Sequence, residues 1–333
     1  MAAKKLDRRF SVAPMLDWTD KHCRYFLRLL SAKAVLYTEM VTTGAIIHGK
    51  GDYLGFNQQE HPVVLQLGGS NPEDMTRSAV LAQTYGYDEV NINVGCPSDR
   101  VKNGSFGACL MSSPEIVAEC VTKMRAEVDI PVTVKCRIGI DDMDDDQGLT
   151  DFVKPQIEAG CQHLIVHARK AWLQGLSPKE NRDIPPLNYE RVYRLKQQFP
   201  DIFISINGGI TDLQQAKEQL NKVDGVMLGR AVYANPYILA EVDQEIYGQT
   251  ALIKTREQVI EELTPYITEY VQQGGRVWHI ARHTLGLFQG QPGGKVWRRF
   301  LSQQAPKKNS NPQLLLMALD EVHKARQNLR KFG

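Results

Sequence analysis

Over the first 230 residues, short apolar runs alternate with longer amphipathic stretches. The runs FSVAPM (10–15), AVLYTEM (34–40), PVVLQL (62–67), EVNINV (89–94), PVTVKCRI (131–138), HLIVHA (163–168), IFISIN (202–207) and GVMLG (225–229) read as β-strands. They are rich in Val and Ile and too short for helices. Between most of them lie segments with helical periodicity, among them 72–85, 114–128, 150–160, 188–199 and 211–221. Strands alternating with helices build a parallel sheet, and eight strands suffice to close a small barrel. The pattern therefore predicts an α/β fold, a (β/α)8 TIM barrel. A doubly wound open sheet is the alternative, but it needs a glycine-rich turn after the first strand. Here that strand runs into MLDWTD, which has no glycine.

Past residue 245 the strand signal stops. Segments 254–273, 276–288, 292–304 and 311–331 read as helices, punctuated by QQGG (272–275) and QGQPGG (289–294). The predicted organisation is a barrel over 1–245 followed by a small all-α domain over 246–333. The acidic run DDMDDDQ (141–147) is expected to be a loop after strand 5.

Length agrees with this division: the chain has 333 residues, against about 250 for a barrel alone. No apolar run is long enough to span a bilayer. The N-terminus, MAAKKLDRRF, has no apolar stretch behind its lysines, unlike a signal peptide. The expected location is cytoplasmic. None of the six cysteines lies in a CxxC pair, so reduced thiols are expected rather than a metal site or a disulfide framework. Charge changes the picture more. Residues 251–333 carry 13 Lys and Arg against 6 Asp and Glu, while residues 1–250 carry 27 against 32. A basic region on a slightly acidic body suits an anionic partner such as nucleic acid; a solvated helical face is the plain alternative. No obligate protein partner is evident, and a monomer is expected.

In a barrel of this kind the working residues sit at the C-terminal strand ends. Those ends carry Ala13-Pro14-Met15, Gln66, Asn93 to Pro97, Lys135 with Arg137, His167 with Arg169, Asn207-Gly208-Gly209, and Gly229-Arg230. The loops after strands 7 and 8 are the usual phosphate site. Asn207-Gly208-Gly209 offers backbone N–H groups ahead of a helix, and Gly229-Arg230 adds an approachable backbone and a fixed charge. The alternative is that NGG is only a tight turn. Lys135 and Arg137 share one face of strand 5. A lysine inside a barrel calls for an anionic partner, either a bound group or Glu39. Cys96 lies between Gly95 and Pro97, on a shaped turn beyond strand 4. An unperturbed thiol, with a pKa of about 8.5, is mostly protonated at neutral pH and can donate a proton. A depressed pKa would make it a nucleophile instead, and an inert buried cysteine is the third possibility. Cys23, Cys109, Cys120, Cys136 and Cys161 are read as inert.

At this point the residues carry a family likeness. NINVGCPSDRVKNGSFGACL (91–110) resembles the signature of the tRNA-dihydrouridine synthases. The likeness extends through APMLDWTD (13–20), YTEMVTTGAIIHG (37–49), LQLGGS (65–70), VKCRIGIDD (134–142), IVHARKAWLQGLSPKENR (165–182), INGGI (206–210) and DGVMLGRAVYANP (224–236). EMVTTGAIIHG and HARKAWLQGLSPKENR look like subfamily A, whose members act at positions 20 and 20a of the D-loop. The resemblance implies non-covalent FMN, with NADPH as electron donor. It places Pro14, Met15, Leu16, Gln66, Lys135 and His167 around the flavin, and Asn207, Gly208, Gly209, Gly229 and Arg230 at its phosphate. It implies hydride transfer from reduced FMN N5 to uracil C6 and a proton from Cys96 to C5. Asn93 would touch the substrate base, which must be flipped out of the folded tRNA. Lys179, Arg182, Lys295 and Arg298 would contact tRNA, and Arg137 and Arg169 would contact uracil or phosphate. Two rivals stay open: a flavin barrel oxidoreductase acting on a small molecule, and a non-catalytic RNA-binding barrel.

Overall fold

The computed structural model describes residues 6–98, 104, 106–144, 146–250 and 252–332. Residues 99–103 and 105 of the signature segment and Asp145 of the acidic run lie outside the described residues.

Eight parallel strands close in chain order: β1 (Phe10–Val12), β2 (Val35–Thr42), β3 (Val63–Gly68), β4 (Glu89–Val94), β5 (Val132–Arg137), β6 (His163–His167), β7 (Phe203–Asn207) and β8 (Gly225–Leu228). β1 completes the ring by pairing with β8 from Phe10↔Val226 to Val12↔Leu228. The predicted barrel is therefore present.

Local chemistry explains where elements start and stop. The helix Pro72–Tyr85 begins where the Asn71 side chain accepts from the Asp74 N–H at 3.0 Å, with proline at its first position. It ends at Gly86, whose φ of 94° is left-handed. The helix Arg256–Gln272 opens with a reciprocal capping box between Thr255 and Gln258. A short helix over Thr43–His48, capped by Thr42, was not anticipated from the pattern.

Strand alternation gives the barrel two different faces. On β4 the residues Val90, Ile92 and Val94 form one face and Glu89, Asn91 and Asn93 the other. Burying each of the first three contributes about 1.5–3 kcal/mol. The polar set is tolerable because each member is hydrogen-bonded. Part of the interior is apolar, a cluster of Ala13, Val35, Tyr37, Val64, Ile165 and Met227. At the N-terminal ends of the strands, fully buried Glu89 accepts from Arg8 at 2.6 and 2.7 Å, from the Thr133 hydroxyl at 2.7 Å and from the Tyr37 hydroxyl at 3.2 Å.

Contacts divide the chain into two compact units: Met1–Asp17 with Val35–Gly229, and Trp18–Ala34 with Arg230–Gly333. The second unit thus takes in the helix Lys21–Leu30 and residues 230–245, not only the region past 245. Within it, Tyr25, Phe26, Leu27 and Leu30 are buried. Asp20 caps that helix by accepting from the Cys23 N–H at 2.9 Å, and it also binds Arg282 at 2.7 Å. Burial opposes the Asp20 charge, but the hydrogen bond and charge of His283 and the bonds from Cys23 and Arg282 hold its carboxyl well below the usual range.

Of the helices expected past 245, three run as Arg256–Gln272, Gly294–Gln304 and Leu314–Phe332. The segment 276–288 differs: it is a short helix Val277–Ala281, a 3-10 turn Arg282–Thr284 and further turns. Within the turns that follow, Gly286 packs closely on the chain at Ala234: a Cβ there would sit 2.3 Å from the Ala234 carbonyl oxygen, so the position admits only glycine. No helix among the described residues is long and apolar enough to cross a membrane.

Candidate functional site

The C-terminal ends of β3 and β4 bring Gln66, Asn93 and Cys96 together. Past Val94 the chain leaves the sheet, and the turn is pinned from several sides. Asn93 Oδ1 accepts from the N–H groups of Gly95 at 3.1 Å and Cys96 at 3.0 Å. The Cys96 carbonyl accepts from the Ala108 N–H at 2.9 Å. Arg137 Nε donates to the Gly95 carbonyl at 3.1 Å. Cys96 keeps part of its surface open, and its thiol lies 3.5 Å from Ser98 Oγ. Asn93 Nδ2 donates to Gln66 Oε1 at 2.8 Å. The other thiols differ. Cys23, Cys120, Cys136 and Cys161 are buried, and burial pushes Cys120, Cys136 and Cys161 up to about 12. Cys109 is partly open, and its thiol donates to the Phe106 carbonyl at 3.1 Å.

A second group forms at β5 to β7. Lys135 Nζ donates to Asn207 Oδ1 at 3.1 Å, and Asn207 Nδ2 donates to the Met227 carbonyl at 2.7 Å. Glu39, the carboxylate considered as its partner, accepts instead from the Asp17 N–H at 2.6 Å. Burial, and after it the charge of Arg137, pushes the Lys135 ammonium down to about 8. A desolvated cation with a neutral partner is suited to an incoming anion or electron-rich ring edge.

Beyond Asn207, Gly208 (φ 110°) and Gly209 (φ 74°) are both left-handed. A Cβ on Gly208 would lie 2.5 Å from His167 Cδ2, and one on Gly209 would lie 2.4 Å from Leu187 Cδ1. Only glycine fits this strap. The N–H groups of Gly208 and Gly209 have no hydrogen-bond partner among the described residues, so they are available to an anion. Nearby, a Cβ on Gly229 would stand 3.4 Å from Ala13 Cβ and 3.5 Å from Met15 Sδ, which places the β1 end with Pro14 and Met15 beside the β8 end. Leu16 is exposed. Arg230 follows Gly229 in sequence and opens the helix Arg230–Ala234 of the second unit.

Two arginines have structural tasks. Arg137 is buried, and its Nη1 also donates to the carbonyls of Lys170 at 3.1 Å and Asn181 at 2.8 Å. Arg169 Nη1 donates to the Pro185 carbonyl. Asn181, fully buried, accepts from the Trp172 N–H at 2.7 Å and donates to the carbonyls of Trp172 and Leu176. This pins the long loop after β6, which presents Lys179 and Arg182 to solvent. On the second unit, Lys295 and Arg298 lie one turn apart on the exposed face of Gly294–Gln304. That helix is anchored by fully buried Trp297, whose Nε1 donates to the Thr284 carbonyl at 2.9 Å. Among the described residues, no group of three or more His, Cys, Asp or Glu is placed to hold a metal ion.

Glu89, Asn91 and Thr133, which complete the hydrogen bonding below Asn93, escaped the sequence reading. The alternation E-x-N-x-N within EVNINV was the signal for the first two: three polar residues on one face of an interior strand.

Known proteins resemble this chain along nearly its whole length. The dihydrouridine synthase (Dus) family model matches residues 11–324. The chain is 61% identical over 320 residues to the tRNA-dihydrouridine(20/20a) synthase of Shewanella oneidensis, covering 96% of each chain. It is 60% identical to the protein of that name from Vibrio cholerae, over 94% of this chain and 96% of the other. Its identity to the Escherichia coli K12 protein of that name is 59%, over 94% of this chain and 91% of the other. Among solved structures, a 2-naphthoyl-CoA reductase in complex with 2-naphthoyl-CoA superimposes with a TM-score of 0.55 at 11% identity. That match covers 72% of this chain and 51% of the reductase, and it speaks for the fold alone. A closed eight-stranded barrel, a pinned cysteine turn and a family match along nearly the whole chain lead to one assignment: the chain belongs to the dihydrouridine synthase family.

Proposed function

We propose that the chain reduces uridine to 5,6-dihydrouridine at positions 20 and 20a of the tRNA D-loop, with non-covalent FMN and NADPH as electron donor. The observation that carries this reading is the turn at Cys96: a partly open thiol whose two preceding amides are both held by Asn93 Oδ1. The names of the relatives, each about 60% identical, supply the substrate.

The residues present fit FMN. The Gly208-Gly209 strap offers unpartnered N–H groups to a phosphate, where any side chain would fill the space. Gly229, with Arg230 next along the chain, extends that set. Lys135 is a desolvated cation suited to the N1/O2 edge of the ring, with Gln66, His167, Pro14, Met15 and Leu16 as its other neighbours. When bound, FMN supplies the hydride that reaches uracil C6, after recharging by NADPH.

The protein supplies orientation and a proton. Cys96 gives its proton to C5 as the 5,6 double bond is reduced. A rigid turn serves this role because a general acid acts only within hydrogen-bond reach of the atom it protonates. Asn93, engaged through both ends of its amide, keeps one N–H free for the uracil edge. Lys179 and Arg182 on the first unit and Lys295 and Arg298 on the second contact tRNA phosphates, which position the substrate. The barrel unit carries the chemistry together with the tRNA contacts of Lys179 and Arg182, and the helical unit carries the remaining tRNA binding. The enzyme works as a cytoplasmic monomer.

The test incubates protein, FMN and NADPH with tRNA lacking dihydrouridine and maps the modified positions. Conversion at 20 and 20a is expected, and none at either would refute the proposal. Cys96→Ala should lower kcat by about 100- to 10,000-fold, while NADPH still reduces the bound flavin at the wild-type rate. Wild-type turnover in that variant would remove the proton-donor role.

A further inference from the structure

The interior face of β4 begins a chain of side-chain hydrogen bonds that runs the length of the barrel. At its upper end Asn93 Oδ1 accepts from two backbone N–H groups, those of Gly95 and Cys96. An oxygen engaged twice fixes which end of the amide faces the turn, so Nδ2 points downward, to Gln66 Oε1 at 2.8 Å. Gln66 Nε2 then donates to Asn91 Oδ1 at 2.8 Å, Asn91 Nδ2 to Thr133 Oγ1 at 3.0 Å, and the Thr133 hydroxyl to Glu89 Oε1 at 2.7 Å. The chain stops there, because a carboxylate only accepts and Arg8 holds its second oxygen. Glu89 and Asn91 have no solvent-accessible surface, and Thr133 and Gln66 have 1% each.

Every link points the same way. Turning Gln66 by half would set N–H against N–H on one side and oxygen against oxygen on the other, and turning Asn91 would set its N–H groups against those of Gln66, both at positions closed to bulk solvent. Both ends agree on the direction: an anion that accepts at the base, and two amides that donate at the top. From Glu89 to Asn93 the chain covers about 13 Å along the strand, at about 3.3 Å per residue.

We propose that Glu89, Thr133 and Asn91 are positioning residues: the Arg8-anchored carboxylate at the barrel base orients Gln66 and Asn93 and thereby holds the turn that presents Cys96. The proposal rests on Cys96 being the proton donor, but only for its effect on turnover. Its structural part stands separately.

The test compares Thr133→Val, which keeps the shape and removes the hydroxyl, with Thr133→Ser, which keeps the hydroxyl. Both are made in the FMN-bound enzyme. In Thr133→Val the Asn91 amide loses its acceptor, which leaves a buried N–H unpaired and cuts the upper chain from its carboxylate anchor. Hydrogen–deuterium exchange at the Gly95 and Cys96 amides should then accelerate by about five- to thirtyfold. The kcat on tRNA should fall by a comparable factor, with KM for tRNA changed by less than about twofold. Thr133→Ser should restore both. Wild-type exchange and turnover in Thr133→Val, or equal loss in Thr133→Ser, would overturn the proposal. Should Thr133→Val not fold, the wild-type enzyme decides: its Gly95 and Cys96 amides are protected if the chain holds the turn, and free exchange there refutes it. If Cys96→Ala turns over normally while the amides of Thr133→Val still respond, the proton-donor reading fails and the positioning role remains.

Discussion

Gly208→Ala probes the strap at the end of β7 most directly. Two costs can be worked out. Alanine at a φ of 110° is strained by about 1–2 kcal/mol. Its Cβ would also lie 2.5 Å from His167 Cδ2 and 2.8 Å from Nε2, where ordinary contacts need about 3.5 Å. The ring must therefore shift by about 1 Å, an overpacking cost of about 1–3 kcal/mol. Together these predict a destabilisation of about 2–5 kcal/mol. Urea unfolding followed by circular dichroism measures it, provided the slope stays that of the wild type. The two costs separate in a double-mutant cycle. In a His167→Ala background the nearest remaining obstacle is Leu187 Cδ2 at 3.3 Å, so Gly208→Ala should then cost only its backbone share, about 1–2 kcal/mol. FMN affinity should drop in both backgrounds, because the strap itself has moved. A loss below about 0.5 kcal/mol, within the range of ordinary surface substitutions, would refute the steric argument. So would an identical loss with and without the ring.

Lys135 and the basic helix supply the other tests. With the folded ammonium at about 8, against an unperturbed 10.5, the unfolded chain holds a proton between those values that the folded chain has released. Stability should therefore rise with pH across that window on account of this group. Lys135→Met should flatten the rise relative to wild type in urea midpoints from pH 7 to 10.5, and an unchanged difference between the two proteins would refute the shift. FMN affinity should weaken above pH 8 in the wild type and not in the variant. Lys295→Ala with Arg298→Ala should weaken tRNA binding and lower the slope of log K against log salt by about 1.4–1.8, for two lost phosphate contacts. An unaltered slope would remove that face from the interface.

The fold was largely legible because interior parallel strands must be apolar on their outer face, and runs such as EVNINV and HLIVHA state this in six residues each. β1 was harder. Its ladder ends at Val12, and the Pro14 ring cannot donate to a ladder, although the apolar pattern runs on to Met15. The segment 276–288 has helical periodicity but folds as a short helix, a 3-10 turn and further turns, and its close packing at Gly286 is against Ala234, 52 positions earlier in the chain, where local periodicity carries no signal. Site residues at strand ends could be read because the barrel puts them there whatever surrounds them. The fate of Arg137 could not: its three carbonyl partners belong to Gly95, Lys170 and Asn181, loop groups whose meeting depends on tertiary packing. Glu89 was overlooked because a carboxylate opening a strand looks like a solvated end, until Arg8 is seen folding back over it.

The path of the first fifty residues also bears on synthesis. After β1 the chain enters the second unit as the helix Lys21–Leu30, then returns as β2. The apolar face of that helix, with Phe26 at no exposure, has its partners after residue 230. On a ribosome adding about 5–20 residues per second, the helix waits about 10–40 s for them. During that interval a hydrophobic segment beside the first strand stays uncovered, where a chaperone or another nascent chain can reach it.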